Sequence, residues 1–513
     1  MNNQKSPKDS MLSWAKSIDY AVVAVLSVFC LKYVTYSGRS FAEQFIKFSF
    51  LDFPIFVGEF LLAYCLLLCS VRVVLTRTQF KPWNWVLVIF YGFVFIKGVL
   101  GYAQYGPLAL RDAALFYYSL FILIGYSCYR PDFFRGWIAG FFYLALFWLV
   151  FDKPYNDFWL VPRILLGLAL AYNMSDRRLG VLMAAAVLIF TPYGSFINTS
   201  RSFFLGGFIA IVFLLISVLF LLKPAVRKPV IVCNIFLIVC LAAYIFNFSG
   251  SRPAQGLLAI GKMRSFFQET KKEIERKKKG FVPLTVNQVK IFSPNRKVVS
   301  LQNDQKPVAS SDAKIAENHP KALNNNIITS PDAHFEDADS EIKSREPHAG
   351  NGTQTQTKPD IVTQMKLGNS IFRLLLWEDA IKDIGRHRNI FGISFGKPFR
   401  SENLEIIRSA VNEWKRDGWI AMHNSYLNIL YRGGIMGLIY IIAMIIGFGY
   451  MVRTFIVYRS LSCLLVCASL LIPFVTAFFA VALEVPYFAI PIWTLYGFLL
   501  RAASDKWLQS KVI

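Results

Sequence analysis

The sequence predicts an all-α integral membrane protein with about twelve transmembrane helices and a large external loop late in the chain. Of its 513 residues, 55% are hydrophobic and 16% are aromatic, which is typical of multispanning membrane proteins. Apolar segments of near-spanning length recur along most of the chain. The formal net charge is nevertheless +23, and many of the basic residues lie in the loops between these segments. The composition therefore excludes a soluble globular domain.

Twelve apolar segments are the predicted spans. The first has spanning length and lacks a small-residue cleavage site, so we expect it to be a membrane helix and not a signal peptide. The segments are residues 18–37, 50–70, 84–101, 107–128, 136–151, 160–174, 179–193, 202–222, 229–248, 424–450, 460–481 and 485–501.

Basic residues are distributed unequally between the two sides of these segments. The short loops on the side of both termini carry eighteen Lys and Arg residues, whereas the opposite short loops carry six, or eight with Lys32 and Lys97. The positive-inside rule therefore places both termini in the cytoplasm. The predicted domains are a membrane domain of about nine helices (1–248), a loop that faces outward (249–422) and about three C-terminal membrane helices (423–513).

The external loop, 249–422, has two predicted parts. Residues 280–366 are polar and poor in aromatic residues, so they cannot bury enough apolar surface to fold, and we expect them to be disordered. Residues 370–417 carry apolar side chains at helical spacing, which predicts amphipathic helices. We expect the first of these to begin after Ser370 and to lie on the membrane or over the functional site.

The motif AMHNSYLNILYRGGIMG places a His-Asn pair at the start of an apolar helix. His423 stands at a membrane boundary, and an imidazole, whose pKa lies near neutrality, can accept a proton from a hydroxyl. The alternative is that His423 and Asn424 only cap the helix. Small residues allow membrane helices to approach closely, so a packing role is predicted for Gly433, Gly434 and Gly437.

Four arginines on the outer side, three near the ends of predicted spans and one in the loop, are candidate anion ligands. Arg201 opens a long apolar stretch, and the free N–H groups at a helix start favour phosphate there. The alternative for Arg201 is contact with lipid headgroups. Arg252 follows the ninth span, and Arg373 lies in the folded end of the loop. Arg111 stands beside Asp112, and we expect this pair to neutralise itself in part, so a structural role is equally supported.

These groups together fit a lipid diphosphate. Its tail would partition into the bilayer, and its diphosphate would be both an arginine ligand and a leaving group. The sequence has no nucleotide-binding glycine loop and no carboxylate motif at metal-binding spacing beside His423. We therefore expect no cofactor and no metal, and the predicted partners include the bilayer but no nucleic acid.

The segments FRLLLWEDAIKDIGRHRNIFGISFGKPF and HNSYLNILYRGGIMGL, with NTSR upstream, resemble the O-antigen ligase/polymerase superfamily of bacterial envelope glycosyltransferases. The motifs cover mainly residues 191–225 and 370–440. The resemblance implies an inner-membrane protein with about twelve helices, whose external loop is periplasmic and whose donor is an undecaprenyl-diphosphate-linked glycan. By family analogy, Arg201 and Arg373 hold the diphosphate and His423 activates the acceptor hydroxyl, without metal and with inversion.

The acceptor distinguishes the members of this superfamily. A ligase transfers the glycan to lipid A-core, a polymerase to another lipid-linked repeat, and a related branch to a protein side chain. All three use the same donor site, so all three stay open. The sequence departs from the family at Ser394, where a glycine-rich turn is usual, and in its long polar insert at 280–366.

A transporter or flippase of polysaccharide precursors is the alternative from a different class. Twelve helices are also common among such proteins. Transporters, however, place charged groups or broken helices near the bilayer midplane. Here the candidate groups lie at the outer edge and no internal repeat is evident, which favours the transferase.

Overall fold

The computed structural model describes residues 7–30, 45–47, 54–76, 82–131, 201–221, 369–403 and 422–505, together with residues 268, 271, 272 and 274–276. All of these residues belong to one compact unit. This part of the chain contains ten α-helices, which are α1 (Pro7–Cys30), α2 (Val57–Thr76), α3 (Pro82–Tyr105), α4 (Leu108–Tyr117), α5 (Phe121–Cys128), α6 (Arg201–Leu221), α7 (Asn369–His387), α8 (Ser425–Val457), α9 (Leu461–Thr476) and α10 (Pro486–Ser504). A 3-10 helix, Tyr118–Leu120, joins α4 to α5.

The described helices confirm a mostly helical protein with several apolar helices of spanning length. Four stretches are long and apolar enough to cross a membrane, namely Val57–Val74, Val86–Tyr105, Leu108–Cys128 and Ser425–Val457. The helices α6, α9 and α10 are also apolar but shorter in their apolar part. The count of twelve stays a prediction, because four predicted spans lie outside the described residues: 136–151, 160–174, 179–193 and 229–248.

The structure departs from the predicted all-α chain at a small antiparallel sheet before α2. Strand β1 (Phe45–Lys47) pairs with β2 (Pro54–Phe56), and Phe45 lies opposite Phe56. Residues 54–56 of the predicted span at 50–70 are therefore strand and not helix. The helix begins at Val57, where Glu59 in its first turn accepts a hydrogen bond of 3.0 Å from the Phe56 N–H.

Glycines allow close contact between α5 and α10. A Cβ atom at Gly125 would lie 2.3 Å from the Thr494 carbonyl oxygen, and one at Gly497 would lie 2.3 Å from the Ile122 carbonyl oxygen. The backbones of the two helices can therefore approach more closely than larger side chains would allow. The fully buried ring of Trp493, on α10, belongs to the same apolar core.

The amphipathic helix α7 packs against protein through its apolar face. Its buried Leu376 and Ala380 contact a second, smaller core that includes Met422, Tyr431 and Phe399. The two predicted placements of this helix were on the membrane and over the functional site. Its contacts with Met422 and Tyr431 place it over the start of α8. The second predicted amphipathic stretch, from residue 404 onward, lies outside the described residues.

Candidate active site

His423 lies at the entrance to α8 in a backbone conformation that is uncommon for a residue other than glycine. Its φ is +47°, in the left-handed region, and its side chain is half-buried. The following residue, Asn424, is the N-cap of α8, and its Oδ1 accepts a 3.0 Å hydrogen bond from the Leu427 N–H. The capping alternative therefore describes Asn424, whereas His423 precedes the cap.

Helix α7 borders this histidine. The rings of Phe372 and His423 meet edge to face with centroids 6.1 Å apart. One turn further along α7, Trp377 donates a 2.9 Å hydrogen bond from Nε1 to the Met422 carbonyl oxygen. Arg373 is half-buried and lies between these two contacts. Residues four apart share a helix face, so Arg373 lies above Trp377 on the side of α7 that meets the start of α8.

The segment between α9 and α10 folds onto the first turn of α8. Ser425 Oγ donates to the Ala480 carbonyl oxygen at 3.1 Å and accepts from the Leu483 N–H at 3.2 Å. Asn428 then donates from Nδ2 to Glu484 Oε2 at 3.0 Å. Since Asn428 lies one turn below Asn424, a carboxylate is placed on the helix face that carries the His-Asn motif.

The sequence interpretation missed Glu484. An acidic residue in the apolar stretch AVALEVPYF was a usable signal, because ionisable residues in membrane segments are functional candidates by default. The same rule applies to Lys97 and Arg432, which are also ionisable residues on apolar helices.

Of two further predicted ligands, the structure describes only the backbone of Arg201. Arg201 is the first residue of α6, as the sequence predicted for a helix start, and its side chain is outside the described residues. Arg252 also lies outside the described residues. The described part of the chain thus brings together the His-Asn motif and the Arg373-bearing helix.

The interpretation that Arg111 and Asp112 neutralise each other is wrong. Arg111 Nη1 lies 3.3 Å from Glu59 Oε1, and its guanidinium stacks 3.8 Å from the centroid of the Phe56 ring. Asp112 instead contacts Arg432 at 3.1 Å. Consecutive helical residues point in different directions, so adjacent charges do not face each other. Arg111 therefore connects α4 to the sheet and α2.

The segment that follows α7, residues 389–396, forms a tight turn against the membrane helices. We call it the 389–396 turn. Gly392 and Gly396 have φ values of +74° and +80°, which glycine adopts without steric cost. Ser394, where the family has a glycine-rich turn, contributes its carbonyl oxygen, which accepts a 2.7 Å hydrogen bond from Arg432 Nη1. The two positions that need positive φ are thus still glycine.

Two adjacent carboxyls on α7 have opposite electrostatic environments. Burial raises the pKa of the Asp379 carboxyl above its usual range, although Ser401 and Asn403 donate hydrogen bonds to it. Burial acts in the same direction on Glu378, but hydrogen bonds from Lys382 and Lys271, at 2.8 and 2.9 Å, outweigh it and lower the pKa of that carboxyl. Asp379 thus binds Ser401 and Asn403, which follow the 389–396 turn, and Glu378 binds Lys271.

The fold and the site define a multispanning membrane protein with a histidine at the entrance of an apolar helix and an arginine-bearing helix against it. The O-antigen ligase family, Wzy_C, matches residues 184–442, and the chain belongs to this family. The matched range contains Arg201, Arg373 and His423. Family membership confirms the resemblance seen in the sequence and implies lipid-linked glycan and acceptor substrates in a membrane. No curated protein matches the chain.

Proposed function

We propose that this protein transfers a glycan from undecaprenyl diphosphate to an acceptor hydroxyl at the periplasmic face of the bacterial inner membrane. The acceptor is lipid A-core for a ligase or another glycan repeat for a polymerase. The observation that carries the proposal is the placement of His423, half-buried and in left-handed backbone beside α7, within the range that the O-antigen ligase family matches.

The proposed reaction is a single displacement. The acceptor oxygen attacks the anomeric carbon from the face opposite the diphosphate, so the configuration inverts. The bond from that carbon to the diphosphate oxygen breaks, and its electron pair leaves with the diphosphate. His423 takes the proton from the acceptor hydroxyl. Arg373 and Arg201 neutralise the charge that grows on the leaving diphosphate, and these guanidinium groups supply that charge without a metal ion.

The remaining candidate residues have narrower roles in this proposal. The Oδ1 of Asn424 already accepts the capping hydrogen bond, so its contact with the acceptor would come from its Nδ2 donor. Arg252 is proposed as a further diphosphate or acceptor ligand. The role of Arg111 is to hold the sheet through Glu59, because its guanidinium is engaged there.

The proposed topology follows from the unequal distribution of basic residues between the short loops. Both termini lie in the cytoplasm, and the domains are the membrane domain 1–248, the periplasmic loop 249–422 and the C-terminal helices 423–513. His423 then lies at the periplasmic end of α8, where a lipid-linked glycan is presented after it crosses the membrane.

The test is complementation of the source bacterium lacking this gene with wild type, His423→Ala or the matched control His387→Ala. His387 is the exposed last residue of α7, outside the proposed site. We expect His423→Ala to lower transfer at least about 100-fold while the protein still accumulates in the membrane, and His387→Ala to transfer normally. Full transfer by His423→Ala would remove the proton-transfer role.

The glycan pattern in the same strains separates the acceptors. Loss of all capped lipopolysaccharide with accumulation of lipid-linked polymer would identify a ligase. A single repeat on the core would identify a polymerase. In membranes from the wild-type strain, we expect transfer to continue in the presence of a metal chelator. A loss restored by Mg²⁺ would contradict the metal-independent reaction.

A further inference from the structure

The 389–396 turn lies among three membrane helices. A Cβ atom at Gly101 on α3 would meet the Phe395 carbonyl oxygen at 2.5 Å, and one at Gly392 would meet the Gly434 nitrogen of α8 at 2.6 Å. The Phe395 ring stacks on Phe116 of α4 with centroids 5.6 Å apart. The irregular backbone of the turn is therefore enclosed by α3, α4 and α8.

The backbone polar groups of this turn find partners on those helices. The Ile390 carbonyl oxygen accepts from the Ile435 N–H at 2.8 Å, and the Ile393 N–H donates to the Tyr431 carbonyl oxygen at 2.8 Å. The Gly396 N–H donates to Asp112 Oδ2 at 2.6 Å. Non-helical backbone is tolerated at membrane depth only where protein satisfies its polar groups in this way.

Three charged residues of apolar helices serve the same turn. Lys97 Nζ donates to the carbonyl oxygens of Phe391 and Arg432, and Arg432 in turn donates to Ser394. Asp112 lies against both Arg432 and the turn, and the side chains of this pair are 3% and 5% exposed. Charges at such positions are costly, and here each one compensates a polar group of the turn or another charge.

The turn lies below the ends of the helices that enclose it. Lys97 precedes the end of α3 by eight residues and Arg432 follows the start of α8 by seven. At 1.5 Å per residue, Lys97 lies about 12 Å from the end of α3 and Arg432 about 10 Å from the start of α8. On α3, exposed apolar side chains continue beyond Lys97 as far as Leu100. On α8, they begin at Ile435, three residues after Arg432. The turn thus meets the edge of the lipid-facing apolar surface.

The tip of the turn extends that surface. Ile390 and Phe391 are 69% and 56% exposed, and the Phe391 ring lies 5.9 Å from the Phe93 ring on α3. The same helix exposes Phe95 and Ile96, which face outward from the helix bundle. The side chains of Ile390 and Phe391 form one continuous apolar surface with these side chains of α3. The same apolar environment therefore covers the tip of the turn and the exposed face of α3.

We propose that the 389–396 turn is a re-entrant segment whose tip, Ile390 and Phe391, contacts the acyl chains of bilayer phospholipid. The turn follows α7 directly, so this contact sets the depth of the helix that carries Arg373. The inference does not depend on the transfer reaction, because it concerns the lipid around the protein and not the lipid-linked glycan.

The test is photocrosslinking in native membranes with benzoylphenylalanine placed at residue 391, and separately at residue 390, of the full-length chain. Phe95 on α3 is the positive control, and Ile381 on α7 is the matched negative control because it is equally apolar and 61% exposed. Adducts are identified by mass spectrometry, and each variant is first shown to accumulate in the membrane and to melt as wild type does.

We expect phospholipid adducts at both tip positions, in yields similar to that at Phe95 and about tenfold above that at Ile381. Adducts only with polyprenyl diphosphate would overturn the assignment in favour of a donor groove, and adducts only with protein would indicate a protein partner instead. No adduct at either tip position, or equal labelling at Ile381, would also refute the re-entrant segment.

Discussion

The carboxylate of Asp112 on α4 and the guanidinium of Arg432 on α8 lie 3.1 Å apart and are almost fully buried. Both also bond to the backbone of the 389–396 turn, Asp112 through Gly396 and Arg432 through Ser394. This ion pair therefore joins two membrane helices to the segment that follows α7.

Removal of one partner of this pair should strongly destabilise the protein. In Asp112→Asn, Arg432 keeps a charge that it cannot lose, and a buried unpaired charge costs about 3–5 kcal/mol. Thermal unfolding in detergent measures the loss. The control is Arg386→Ala, which breaks the exposed 2.9 Å pair with Glu402, and there we expect a change within about 1 kcal/mol. Equal effects of the two substitutions would contradict the conclusion that Asp112 and Arg432 form a buried, stabilising ion pair.

Gly434→Ala should displace the 389–396 turn. Gly434 has φ +54° and ψ −132° inside α8, and an added Cβ atom would lie 2.1 Å from the Ile390 carbonyl oxygen. The backbone strain alone costs about 1–3 kcal/mol. Gly449→Ala is the matched control on the same helix, since nothing lies within 4 Å of its added Cβ. We expect thermal unfolding to show a lower stability for Gly434→Ala and an unchanged stability for Gly449→Ala.

Asp379 and Glu378 should give opposite pH dependences of stability. The pKa of folded Asp379 is raised, so its contribution to the free energy of unfolding falls as pH rises from its ordinary value of 3.8 through the folded value. The pKa of folded Glu378 is lowered, so its contribution is present above its ordinary value of 4.5 and disappears as pH falls through the folded value.

The measurement compares wild type with Asp379→Asn and with Glu378→Gln across the acid range. Neither substituted amide titrates, so each difference from wild type isolates one carboxyl. The two differences should change with pH in opposite directions, and a change in the same direction would show that one of the two environments is assigned incorrectly.

Glu484→Gln should slow glycan transfer without unfolding the protein. The amide oxygen can still accept the hydrogen bond from Asn428, but the charge on that helix face is lost. Glu402→Gln, at an exposed carboxyl away from α8, is the control. An unchanged rate would exclude Glu484 from the site.

The sequence predicted those parts of the fold that depend on local pattern. The apolar runs located both ends of α3 and the start of α8 to within four residues, because a spanning helix needs about 20 apolar residues. Helix α8 ends at Val457, seven residues beyond the predicted end. The helical spacing of apolar residues located α7. The position of His423 immediately before a helix start was also correct, since Asn424 is a favoured N-cap residue.

Contacts between distant parts of the chain were not accessible in this way. The partners of Asp112 and Glu59 come from other helices, and no local rule identifies them. Gly433 has the predicted packing role, because its added Cβ would meet Phe116 at 3.0 Å. Gly434 instead has a non-helical backbone, which a spacing pattern cannot distinguish from a packing glycine.

The kink at Gly434 also separates the end of α8 that carries the proposed site from the part of the helix whose length must match the bilayer thickness. The helix has 33 residues, about 50 Å, whereas the hydrocarbon core is about 30 Å thick. Residues 435–457 alone extend about 34 Å and can span it. Hydrophobic mismatch in a thinner or thicker membrane is relieved by tilt of this lower part. The upper part, held to α7 and to the loop at Glu484, keeps His423 and the Arg373-bearing helix in the same relative position.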